Sequence, residues 1–178
     1  MPRLISAAAL ALGLTLAGAV WAAAPVQVTP QGALDPDRIM GRWYEILRAP
    51  NKLQRNCYAA YQVWSRKGDA YAIQQVCHRD APDGRVAEVT GAAKALNPQY
   101  TLFDATFFGG LIHAKYVLAD HAPDYSWLIA TTADGRFPKL LSRAPGLSAD
   151  DQASLKQRMA RLGFDVNHLE SCGETTPG

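Results

Sequence analysis

The chain of 178 residues has only four histidines and three cysteines, and that shortage closes several routes. His78, His113, His121 and His168, with Cys57, Cys77 and Cys172, form no H-x-x-x-H or C-x-x-C spacing, so no metal site is set up. Glu45 and Asp104 stand in strand-like segments, but no His or Ser is placed to complete a triad with them, which argues against an enzyme. No motif calls for a cofactor. Charge of one sign is also missing: a formal net charge of +2 makes nucleic acid a poor partner. After residue 24 no apolar run is long enough to span a bilayer.

The first 24 residues do hold an apolar run, from Leu4 to Val20, behind Arg3 and ahead of the small residues Ala22 to Ala24. This anatomy reads as a secretory signal over 1–22, cut after Ala22 because Pro25 disfavours a cut after Ala24. In "LAGAV", Ala19 stands where a lipoprotein signal needs an acylated Cys, so the expected address is the periplasm or the outside, without a covalent lipid anchor. Residues 23–178 then form a single domain, long enough to bury one core. Removing Arg3 from the 18 basic residues leaves 17 against 16 acidic ones, near neutrality.

From Arg42 the chain divides into eight short segments rich in β-branched and aromatic residues: 42–48, 57–65, 70–78, 85–96, 99–108, 112–120, 125–132 and 136–142. Separators such as "RKGD", "DAPDG", "GG" and "ADG" suit antiparallel neighbours, and they leave no room for crossover helices. An all-β, eight-stranded antiparallel up-and-down barrel follows, because closure removes both sheet edges. Ala59, Tyr61 and Val63 are read as one face of the second strand, and Tyr71, Ile73 and Gln75 as one face of the third. "LSADDQASLKQRMARLGF" differs: Ser148 suits an N-cap, Leu155, Met159 and Leu162 recur at helical spacing, and Gly163 is a stop. Its apolar stripe is narrow, so this helix is expected outside the barrel.

Across "RKGD", a pairing centred on Lys67 sets Trp64 against Ala70 and Cys57 against Cys77, close enough to bridge. Cys172 is then free or intermolecular.

Three further stretches carry a resemblance to the lipocalin family, within it to bacterial lipocalins related to apolipoprotein D. They are "DPDRIMGRWYEI" (35–46), "VLADHAPDY" (117–125) and "LLSRAP" (140–145). The resemblance implies that Trp43 plugs the closed end of the barrel, that Gly41 lets the chain fold tightly over that end, and that Arg143 stacks across the indole. It also offers an alternative disulfide from Cys57 to the tail at Cys172. Alternation and likeness to family pocket positions together nominate Ala59, Tyr61, Ile73, Gln75, Val89, Phe103, Tyr116 and Trp127 as ligand lining. The implied function is an exported carrier of one hydrophobic or amphipathic molecule, a fatty acid or lysophospholipid first, in lipid storage, transport or envelope maintenance. Peripheral membrane association is kept open. The rival readings are a lipocalin-fold enzyme on a lipid-like substrate and an envelope interaction protein with a filled barrel.

Overall fold

A computed structural model describes residues 27–174, and the secretory segment expected over 1–22 lies outside them. The strands are β1 (Gly41–Arg48), β2 (Cys57–Lys67), β3 (Ala70–Arg79), β4 (Val86–Ala95), β5 (Leu102–Phe107), β6 (Ile112–His121), β7 (Trp127–Thr132) and β8 (Lys139–Ser142). Each pairs antiparallel with the next, and β1 pairs with both β2 and β8, which closes the sheet into a barrel. A two-residue strand that the sequence reading lacked, β9 (Glu170–Ser171), adds to the far end of β1 opposite Leu47 and Arg48.

Helix α1 (Ala149–Arg161) follows β8. The Ser148 hydroxyl accepts from the Asp151 backbone N–H, filling one of the donors a helix start leaves open. Leu155 and Met159 face the barrel's outer wall over Ile46, Leu47, Val117, Ile129 and Leu140. Arg158 is bidentate to the buried Asp120 carboxylate of β6 and lies 5.2 Å from the centroid of the Trp127 ring. Trp127 therefore sits between barrel and helix, on the outside. Its expected place in the ligand lining is corrected.

The β2–β3 hairpin also corrects an expectation. Its loop is only Gly68 and Asp69, with Gly68 at φ 60°, so Lys67 pairs with Ala70 and Trp64 with Ile73. Cys77 then stands opposite Ala60, and a bulge at Tyr58 brings Cys57 opposite Arg79. The Cys57–Cys77 disulfide still forms, across a Cα separation of 5.5 Å, within a register different from the expected one. Cys172 is free. The changed register reverses the second strand: Gln62 and Trp64 face inward, while Tyr61 lies outside against Tyr44 and His78. Ala59 is buried beside the bulge, opposite His78, and lines no cavity described below.

Candidate ligand site

At the closed end the chain enters β1 through Gly41, whose φ of 92° suits glycine. A Cβ there would come within 3.3 Å of the Arg143 guanidinium. Trp43 is fully buried, and its indole N–H donates to the Ile39 carbonyl at 2.8 Å. Arg143 lies over this ring, 3.6 Å from centroid to guanidinium carbon, and donates to the carbonyls of Arg38, Met40 and Arg42. The Tyr125 hydroxyl accepts from the Asp35 backbone N–H at 2.7 Å, and Arg38 stacks on the Tyr125 ring while donating to the carbonyls of Pro123 and Asp124. All three motif stretches thus meet at one end of the barrel. Gly41, Trp43 and Arg143 lie together at this end, opposite the open mouth, and the inner edge of Trp43 bounds the deeper of two interior voids.

Above this plug the interior is packed. Phe103 meets Trp64 and Tyr71 edge to face, and those two rings tilt against each other, with centroids 5.4 to 6.3 Å apart. Phe103, nominated as lining, is fully buried in this stack.

Midway up stands a group of charges with little access to water. Glu45 Oε1 accepts from Lys139 Nζ at 2.6 Å and from Gln75 Nε2 at 2.9 Å. Its Oε2 accepts from Gln54 Nε2 at 2.7 Å, and an Arg48 nitrogen lies 3.6 Å away. Burial opposes the charge on Glu45, but the Lys139 ammonium and its other donors overcome that cost and hold its carboxyl below the ordinary value. Burial likewise opposes the Lys139 charge, and attraction to Glu45 outweighs it, so the ammonium is held above its ordinary value. Arg48 also donates to the Cys57 carbonyl and to Cys172 Sγ. Burial, with Glu45 nearby, pushes the Cys172 thiol up to about 12, which keeps it protonated and unreactive near neutrality.

Around these polar groups lie two voids. A deep one of about 20 Å³ is bounded by Trp43, Trp64, Ile73, Leu118 and Lys139 among others. A second, of about 110 Å³, opens toward the mouth between Leu53, Val89, Phe108, Ile112 and Ala114. Gln75, Phe107 and Tyr116 line both, forming a waist between them. Of the nominated lining, Ile73, Gln75, Val89 and Tyr116 are brought together here, and Ala59, Tyr61, Phe103 and Trp127 are not. Missed by sequence reasoning were Phe107, Gln62, Lys139 and the role of Glu45 as acceptor for Lys139, Gln75 and Gln54. A lone Lys in "RFPKLLS" and a lone Glu in "RWYEILR" were the available signal, since each interrupts an apolar strand. A polar groove of about 760 Å³ lies outside the barrel, between the β1–β2 loop and the tail at Glu170, Ser171 and Gly173. Its openness and hydrophilic walls make it a poor host for an apolar molecule.

Among the described residues no cluster of three or more His, Cys, Asp or Glu is arranged to hold a metal, and no helix is long and apolar enough to cross a membrane.

The comparisons agree with this geometry. A lipocalin-like domain model matches residues 34–174. The outer membrane lipoprotein Blc of Citrobacter freundii is 25% identical over 147 residues, covering 82% of each chain. Mouse apolipoprotein D is 26% identical over 147 residues, 78% of this chain and 76% of its own. Among solved structures, insecticyanin from the tobacco hornworm Manduca sexta superposes with a TM-score of 0.65 at 14% identity, over 83% of this chain and 85% of its own. Lobster apocrustacyanin A1 does so at 0.62 and 15%, over 84% and 91%. With a family model covering the whole barrel, a closed end built from Gly41, Trp43 and Arg143, and an outer helix after β8, the chain belongs to the lipocalin family, whose members bind small hydrophobic ligands.

Proposed function

We propose that this protein is an exported lipocalin that holds one fatty acid or lysophospholipid in its barrel, for lipid storage, transport or envelope maintenance. The observation that carries the reading is the mouth void: apolar walls continuous with the interior, and a polar waist where the Gln75 amide and Tyr116 ring can fix a ligand. Binding then needs no chemistry. Affinity comes from apolar area removed from water, at roughly 25 cal/mol per Å². The voids together fall short of the ~300–1,000 Å³ of ordinary ligand pockets, so an acyl chain must displace the Phe107 and Tyr116 rings to join them. Likeness to an outer membrane lipoprotein supports an envelope address.

The tight Trp64, Tyr71 and Phe103 stack favours a second reading, a filled barrel acting through its surface. Native mass spectrometry of detergent-free protein from its producing cells separates the two. A single added mass that solvent extraction identifies as a fatty acid or lysophospholipid supports the carrier. A bare chain that takes up neither class on incubation supports the filled barrel.

A further inference from the structure

The antiparallel order places the β1–β2, β3–β4, β5–β6 and β7–β8 connections at the open end, opposite Trp43 and Arg143. Each carries an exposed large apolar side chain at or beside its tip: Leu53, Val86, Phe108 with Leu111, and Phe137. Leu53 is 64% exposed and Leu111 86%, well beyond what a folded chain leaves open by accident on every loop of one end. Five of the seven exposed large hydrophobics among the described residues gather here; Leu96 is at the other end and Tyr58 on the barrel's flank.

Two more observations say what covers this rim. Leu53 and Phe108 line the mouth void as well as facing outward, so apolar surface runs unbroken from the interior to the outside. Exposed cations stand beside the apolar tips on three of the four loops: Lys52 and Arg55 around Leu53, Arg85 before Val86, and Arg136 before Phe137. Asp134 pairs with Arg136, and Asp80 and Asp83 share the loop of Arg85, whereas Lys52 and Arg55 have no carboxylate partner among the described residues, so the positive charge of the rim centres on the β1–β2 loop. Apolar tips flanked by long basic side chains suit a lipid headgroup layer, where the tips enter and the cations stay with phosphates.

We propose that the open end of the barrel docks on an anionic phospholipid surface, with Leu53, Val86, Phe108, Leu111 and Phe137 entering the headgroup layer. The mouth then faces the bilayer, and a single-chain lipid passes between membrane and barrel without crossing water. The passage rests on the carrier reading; the docking does not.

Flotation of the full-length protein with vesicles tests it, using phosphatidylcholine alone or equal parts phosphatidylcholine and phosphatidylglycerol. The wild type should float with the anionic vesicles, and added salt should weaken the association. Leu111→Asp with Phe137→Asp should cut the floated fraction roughly tenfold or more. Lys52→Glu with Arg55→Glu should remove its salt dependence. None of these four residues lines the void, so all variants should bind a fluorescent short-chain fatty acid as the wild type does in vesicle-free solution. A wild type that floats with neither vesicle, or an aspartate variant that floats like the wild type, overturns the proposal. So does a wild type that self-associates through this face and ignores lipid. If flotation behaves as expected while the fatty acid fails to bind any variant, docking stands and the carrier reading falls.

Discussion

Trp43 and Arg143 come from opposite ends of the barrel's chain and meet face to face, so their energies should be coupled. Trp43→Ala should cost about 3–5 kcal/mol and Arg143→Ala about 1–3 kcal/mol, with the double variant losing less than the sum in denaturant unfolding. Additive losses would show that the pair makes no energetic contact. The Glu45–Lys139 pair predicts a coupling of the same sign but stronger, with the double change less costly than one of the singles. Lys139→Met alone strands a buried carboxylate and should cost about 3–5 kcal/mol, whereas Glu45→Leu with Lys139→Met should recover much of that loss. The pair also predicts a pH dependence. Glu45 is held below its unfolded value, so its contribution is present above about pH 4.3 and lost as pH falls through the folded value. Lys139 is held above its unfolded value, so its contribution is present below about pH 10.4 and lost as pH rises through the folded value. Denaturant midpoints across pH should fall at both extremes in the wild type. In the double variant both limbs should flatten.

At the scale of elements, strand existence was legible because alternation and turn residues are local, and all eight spans overlap the observed strands. Register was not. The tight Gly68–Asp69 loop and the bulge at Tyr58 displace the β2–β3 pairing from one centred on Lys67, and with it the inward face of β2. Trp127 was misassigned for a related reason: only the helix packed outside β7 distinguishes a large residue facing out from one facing in. The closed end was legible because its residues serve construction in a fixed order along the chain. The interior charges were not, since Glu45 and Lys139 are 94 residues apart and only barrel closure joins them. The helix itself should depend on Asp120. Arg158→Ala leaves that carboxylate buried without its partner and should cost on the order of 2 kcal/mol, read as a drop in thermal midpoint with the barrel's disulfide intact. An unchanged midpoint would mean that the helix is held by Leu155 and Met159 alone.

For the whole molecule, the plugged end, the waist and the open mouth define one direction of entry. On the proposed carrier reading, a ligand comes past Leu53 and Phe108, which line the mouth void, and seats near Gln75 and Tyr116, with Phe107 turning aside. Phe107 has room to sit where it does only because position 91 is glycine; a Cβ there would lie 2.6 Å from the ring and 2.6 Å from the Thr106 carbonyl. Trp43 and Trp64 both line the deep void and are the natural reporters, while Trp127 under the helix is not. The central claim is that the barrel takes up one lipid chain, and its most direct test is titration of delipidated protein with a long-chain fatty acid and with a lysophospholipid, followed by tryptophan emission. The wild type should respond saturably at one ligand per chain, and Trp64→Phe should lose part of the signal, Trp43 supplying the rest, while still binding by calorimetry. Flat calorimetric titrations with both lipids, on protein shown to be folded and free of bound lipid, would contradict it.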